Sequence, residues 1–228
     1  MKEDFFLRIA KIFVCVFNKY MQIHFPKIKY IITGTLISGA LFASAPACAG
    51  GYNKLTQDTF VKDSVPPSGT SDARFLAKAP SPKIKVCGVN KNAKFVIELG
   101  ENILYTYDEQ GQPTCAYRIA SGKKSTPTHT GVRVVSHIET YPYRTAYGTK
   151  RKRNPSAYGP KIIILDILDT KTGETSQTGE FIHGNNDSTS IGKYASKGCM
   201  RMDNDVIKEL ARNAKRGDIV LILRNGEK

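Results

Sequence analysis

The sequence predicts a mainly β domain, sandwich- or barrel-like, with one clear helix near its C-terminus. Two observations carry this expectation. From Lys83 onward, short runs rich in β-branched and aromatic residues recur, separated by turn signals at the roughly 8–12-residue spacing typical of such folds. Against that background a single stretch, just after Met202, shows helical periodicity with a start and a stop signal.

Taken in order, residues 1–49 read as a leader. Lys27 and Lys29 precede an uncharged run that begins apolar and ends rich in small residues, and Ala47-Cys48-Ala49 fits a signal-cleavage site before Gly50. Counted from Met21 rather than Met1, the leader has the usual length of about 15–30 residues, so Met21 is a second possible start. Two alternatives stay open: residues 30–53 as an uncleaved membrane anchor, and Cys48 as a lipidation site. Each version puts the rest of the chain outside the cytoplasmic membrane, because the positive flank stays inside. Residues 50–82 mix Pro, Ser, Gly and Ala without a period and read as a flexible linker.

The domain is then expected over 83–228. KIKVCG alternates apolar and polar residues, AKFVIEL and NILYTYD are short β-rich runs, and DEQGQP is a turn. TCAYRIAS and GVRVVSHIE continue the pattern, with SGKKSTPTHTG between them. GPKIIILDILD is a hydrophobic strand, DTKTG a turn, and EFIHG the strand that delivers His183. The segment Thr140–Lys161 combines tyrosines, three prolines and the basic run Lys150–Arg153 with no acidic residue. It reads either as a solvated loop or as a lid whose aromatic and basic side chains meet a substrate. In the helix, Asp203 or Asn204 caps the start, and Val206, Ile207, Leu210, Ala211 and Ala214 form one apolar face. Lys215 and Arg216 lie in the last turn, Gly217 ends it, and DIVLIL closes the sheet.

The 34 Lys+Arg against 20 Asp+Glu leave a formal charge of +14, which favours an anionic partner such as a carboxylate-rich polymer or an acidic membrane surface. No nucleic-acid-binding motif accompanies the charge, so nucleic acid is not expected as a partner. Nor is a metal or other cofactor, because the four histidines and five cysteines contain no C-x-x-C or H-E-x-x-H pair. His137 falls in a strand and reads as structural, while His129 sits in the STPTHTG loop. After leader removal Cys87, Cys115 and Cys199 remain. A Cys87–Cys115 bridge would close a loop of about 29 residues and contribute roughly 3–4 kcal/mol. The two faces do not obviously agree, and the pairing stays open.

Chemistry concentrates between Phe181 and Met202. His183 is followed sixteen residues later by Cys199, and both sit among glycines. A thiol is a nucleophile only as thiolate, and a nearby imidazole can take its proton, lowering its pKa from about 8.5 into the range ~3.5–7.5. A glycine before the cysteine lets successive backbone N–H groups converge on the oxyanion of a tetrahedral intermediate. The pair therefore reads as a Cys–His acyl-transfer site, against the plainer reading of a buried Cys and a structural His.

The detailed pattern is His183-Gly184-x-Asn186, then Ser190-Ile191-Gly192, then Ser196-Lys197-Gly198-Cys199-x-Arg201-Met202. It resembles the signature of the L,D-transpeptidase family, which cross-links bacterial cell-wall peptides. Many members carry His where this chain has Lys197, a position that is neither nucleophile nor base. The likeness covers roughly Lys83–Leu223 and implies an L,D-transpeptidase catalytic domain with Cys199 and His183 catalytic. It also implies that the Gly184 carbonyl orients the imidazole and that N–H groups of Lys197, Gly198 and Cys199 hold the oxyanion. Arg201, Ser196 and Asn186 would contact substrate, with Arg201 gripping a carboxylate. The implied reaction joins peptidoglycan stem peptides through a Cys acyl-enzyme with release of D-Ala, in the cell envelope or periplasm, by a monomer. A carbapenem is an expected inhibitor. An L,D-carboxypeptidase on the same scaffold and a non-catalytic wall-binding module are the alternatives.

Overall fold

The structure, a computed structural model, describes residues 65–141 and 155–224. The leader 1–49 with its anchor and lipidation alternatives, the linker to residue 64, and residues 142–154 with the Lys150–Arg153 run lie outside the described residues.

The chain forms strands β1 (Lys83–Val86), β2 (Val89–Asn92), β3 (Phe95–Glu98), β4 (Ile103–Tyr107), β5 (Pro113–Arg118), β6 (Ser121–Gly122), β7 (Gly131–Thr140), β8 (Lys161–Leu168), β9 (Thr175–His183), β10 (Tyr194–Ser196), β11 (Met200–Arg201) and β12 (Ile219–Leu223). Among the described residues three α-helices accompany them: α1 (Ala73–Leu76), α2 (Pro155–Tyr158) and α3 (Asn204–Asn213). Eight strands make one curled, half-barrel sheet in the order β11-β9-β8-β7-β12-β3-β4-β5. Its β11–β9 and β12–β3 pairs are parallel and the rest antiparallel. β1 and β2 form a separate hairpin, and β6 and β10 a short parallel pair.

Period-2 alternation explains why both faces of the sheet are dry. Phe95, Ile97 and Leu104 join Ile163, Leu165, Ile182, Met200 and Met202 under α3, whose Val206, Ile207, Leu210 and Ala211 face them. Val96, Ile103 and Tyr105 point the other way and are covered by Val65, Val86, Phe75 and Leu76. This second layer corrects the linker expectation for its described part. Residues 65–82 are structured: Val65 is buried at 2% exposure, Thr70 bridges to Ala116, and Asp72 caps α1. An apolar sheet face needs a cover, and this segment supplies it.

The helix ends earlier than its basic residues suggest. Ala214 is already extended, and Lys215–Asp218 form a turn in which the Lys215 N–H donates to Asp218 Oδ2. Gly217, at φ +92°, belongs to that turn and donates its N–H to the Val135 carbonyl. At the other end Asp203 is the N-cap, accepting the Asp205 N–H at 2.9 Å. Asp203→Ala is therefore expected to lower stability by about 1 kcal/mol, read from a urea midpoint.

The weighed Cys87–Cys115 bridge does not form. Cys87 is a free, exposed thiol in the β1–β2 turn at φ +50°, whereas Cys115 is buried on β5 among residues packed under α3.

Candidate active site

The stretch Cys199–Met202 carries a two-residue edge strand. β11 runs parallel to β9, with Met200 opposite Ile182 and Arg201 opposite His183. Ile182 and Met200 are both fully buried in the core under α3. By alternation His183 and Arg201 face the opposite side of this sheet edge, and Cys199 immediately precedes β11. Strand pairing thus brings the residue next to Cys199 to the same sheet edge as the end of β9 that carries His183.

His183 is 3% exposed. Its Nδ1 donates to the Gly184 carbonyl at 2.5 Å, which leaves Nε2 as the basic nitrogen of the neutral ring. Burial pushes its pKa down to about 4; the Gly184 carbonyl opposes that, and the Arg201 cation adds to the lowering. The imidazole is therefore neutral at neutral and mildly acidic pH. A neutral imidazole can accept a proton at its free nitrogen. Tyr158 of α2 lies over the ring, centroids 4.7 Å apart, and shields it from solvent.

Gly184 is required by close approach. A Cβ there would collide with Asn204 Oδ1 and sit 3.0 Å from the Gly159 Cα. Asn204 also bonds both ways with Asn185: its Oδ1 accepts the Asn185 N–H and its Nδ2 donates to the Asn185 carbonyl, both at 3.0 Å. The Asn185 side chain donates to the Met202 carbonyl at 2.5 Å. The start of α3 is thereby fastened to the residue after the His183–Gly184 pair.

Cys199 is half-buried and lies outside any disulfide, its Sγ 3.9 Å from the Gly179 carbonyl. Gly179, at φ +75°, sits where the β8–β9 register shifts between Ile164 and Asp166, so a bulge in β9 turns that carbonyl toward the thiol.

Two of the expected site residues shape the loop itself. Ser196, expected to touch substrate, is 1% exposed and holds the loop: its Oγ accepts the Gly198 N–H at 3.0 Å and donates to the Cys199 carbonyl at 2.5 Å. The Gly198 N–H, expected among the oxyanion donors, is consequently engaged. Gly198 contributes its φ of +115° instead, a conformation that side-chain-bearing residues avoid. Lys197 and Asn186 are exposed. Arg201 is half-buried, and among the described residues its Nε is the buried side-chain polar atom without a hydrogen-bond partner.

Sequence reasoning gave no site role to Thr128, Asn185, Asn204 or Tyr158. Thr128 lay in the STPTHTG loop, Asn204 was read as a candidate helix cap, and Tyr158 was one of several tyrosines in a stretch weighed as a lid. His129, noted in the STPTHTG loop, donates its backbone N–H to Glu180 Oε1 at 3.3 Å. Glu180 Oε2 in turn accepts Arg133 Nε at 2.8 Å in a buried ion pair. His137 lies beside Glu139 on β7, Nε2 3.4 Å from Oε1.

A family model, YkuD, the L,D-transpeptidase catalytic domain, matches residues 92–222. The Bacillus subtilis (strain 168) protein YkuD, named provisionally as an L,D-transpeptidase, is 36% identical over 109 residues, 47% of this chain and 52% of that protein. The chain thus spans about half the length of this curated relative. Among solved structures, Bdellovibrio bacteriovorus Bd1075 is similar at 22% identity and TM-score 0.46, covering 64% of this chain and 53% of that one. An Enterococcus faecium L,D-transpeptidase is similar at 23% identity and TM-score 0.41, covering 57% and 49%.

Proposed function

The chain belongs to the L,D-transpeptidase catalytic-domain family, a family of cysteine enzymes, and from that premise we propose that it joins peptidoglycan stem peptides through an acyl-enzyme on Cys199. The observation that supports the reading is the parallel β9–β11 pairing, which sets Arg201 opposite His183 and so brings the start of β11, next to Cys199, to the edge that carries His183. In the first half-reaction His183 Nε2 takes the thiol proton and Cys199 Sγ attacks the carbonyl between meso-diaminopimelate and the terminal D-Ala. The tetrahedral oxyanion is met by backbone N–H groups of Cys199 and Lys197. His183 then hands its proton to the leaving amine, and D-Ala departs as the thioester forms. In the second half-reaction an amine of another stem peptide attacks the thioester, again with His183 as base, and Cys199 is released as thiol.

The surroundings suit a substrate bearing carboxylates. Arg201 presents a guanidinium beside His183, and Lys193 and Lys197 are exposed in the segments that lead to Cys199. We assign Arg201 to the stem-peptide carboxylate, which would satisfy its unpartnered Nε. A cell-wall substrate calls for an extracytoplasmic location, consistent with the leader read in residues 1–49.

Mass spectrometry of products from a defined tetrapeptide muropeptide tests this directly. Cross-linked dimer with stoichiometric D-Ala is the expected result, because a held amine can compete with water at effective molarities up to about 10⁵–10⁸ M. Tripeptide as the main product would make the protein a carboxypeptidase, and unchanged tetrapeptide would leave a wall-binding module.

A further inference from the structure

We propose that Thr128 is a positioning residue for acyl transfer: its buried hydroxyl sets the direction of the Cys199 N–H by fixing the peptide that carries it. Thr128 is 2% exposed, and Oγ1 donates to the Gly198 carbonyl at 2.7 Å. The same oxygen accepts the Gly122 N–H at 2.9 Å. With a lone pair occupied by that N–H, the hydroxyl proton is directed at Gly198.

The consequence follows from peptide geometry. The Gly198 carbonyl and the Cys199 N–H belong to one planar trans unit and point in opposite directions. Whatever holds the oxygen therefore aims the N–H. Such a hold is needed because Gly198, at φ +115°, has no side chain to restrict its backbone, so the plane following it could rotate. Ser196 fixes the peptides on either side, through the Gly198 N–H and the Cys199 carbonyl. The plane between them is held by Thr128.

Thr128 is itself anchored from both directions. On one side Thr126 Oγ1 donates to the Ser196 carbonyl at 3.2 Å. On the other, the His129 N–H bonds Glu180, which Arg133 secures. Gly122 permits the approach: a Cβ there would collide with the Thr126 carbonyl and the Thr128 nitrogen.

The proposal rests on the acyl-transfer reading, and the experiment separates the two. Full-chain protein is assayed for two reactions at Cys199: acylation by a carbapenem, which passes through an oxyanion, and alkylation by iodoacetamide, which does not. Thr128→Val should slow acylation about 10²-fold, toward the loss seen when an oxyanion donor is removed, while alkylation keeps its wild-type rate. Thr128→Ser, which restores the hydroxyl, should recover acylation. If Thr128→Val does not fold, Thr128→Ala carries the same expectation. Equal slowing of both reactions would mean that the loop has merely collapsed, and wild-type acylation in the variants would remove Thr128 from the mechanism. Either result overturns the proposal. Wild-type protein that alkylates yet takes no acyl group would instead sink the acyl-transfer reading itself.

Discussion

Cys199→Ala is expected to abolish turnover of tetrapeptide muropeptides, a loss of roughly 10⁶-fold if the thiol is the sole nucleophile, as in other covalent mechanisms. Little else should change. Cys199 is half-buried at a loop end, and the hydrogen bonds that shape the loop come from Ser196 and Thr128 and use the backbone of residues 198–199. A methyl group in place of the thiol leaves those bonds intact, so the urea midpoint should stay near that of wild type. Retained activity would require another nucleophile. Among the described residues the other free thiol, Cys87, sits in the β1–β2 hairpin turn, outside the large sheet that carries His183.

His183→Ala should lose about 10²–10⁴-fold in kcat/KM, the usual worth of a general acid–base group. The pH dependence is the sharper test. Because burial and Arg201 hold His183 near 4, the acid limb of kcat/KM should fall close to pH 4 and not near 6.5, where an exposed imidazole titrates. Stability carries the matching signature. Between about 6.5 and 4 the unfolded chain binds a proton that the folded chain refuses, so unfolding free energy declines as pH falls through that window and is flat above it. His183→Ala should remove that portion of the slope. An acid limb near 6.5 in wild type would mean that the ring is more solvated than its cover by Tyr158 implies.

The strands were legible because short β-rich runs bounded by turn signals mark them: AKFVIEL, apolar at Phe95, Val96 and Ile97 alike, forms a strand buried on both faces. His183 and Cys199 were legible as candidates because the proposed Cys–His acyl-transfer site calls for those residue types among glycines. The network that poises them was not. Ser196 and Thr128 are hydroxyl residues whose partners lie in a folded loop, and no spacing rule separates a hydroxyl facing substrate from one turned inward onto the nucleophile's own backbone. The Asn185–Asn204 pair joins residues nineteen apart with no periodic signature. The end of α3 was misjudged because Lys215, Arg216 and Gly217 have the composition of a helix terminus, yet Asp218 draws the Lys215 N–H into a turn. Residues 65–82 looked like linker by composition. Their order comes from the apolar sheet face they cover, a tertiary demand that local sequence does not display.

The central claim is that Cys199, with His183 as its base, forms a covalent acyl intermediate, and intact-protein mass spectrometry with peptide mapping measures it most directly. Wild-type protein mixed with a carbapenem should gain one acyl mass, mapped to the peptide containing Cys199. The adduct should form more slowly in His183→Ala and not at all in Cys199→Ala. An adduct mapping to any other residue, or one that persists in Cys199→Ala, would contradict the account.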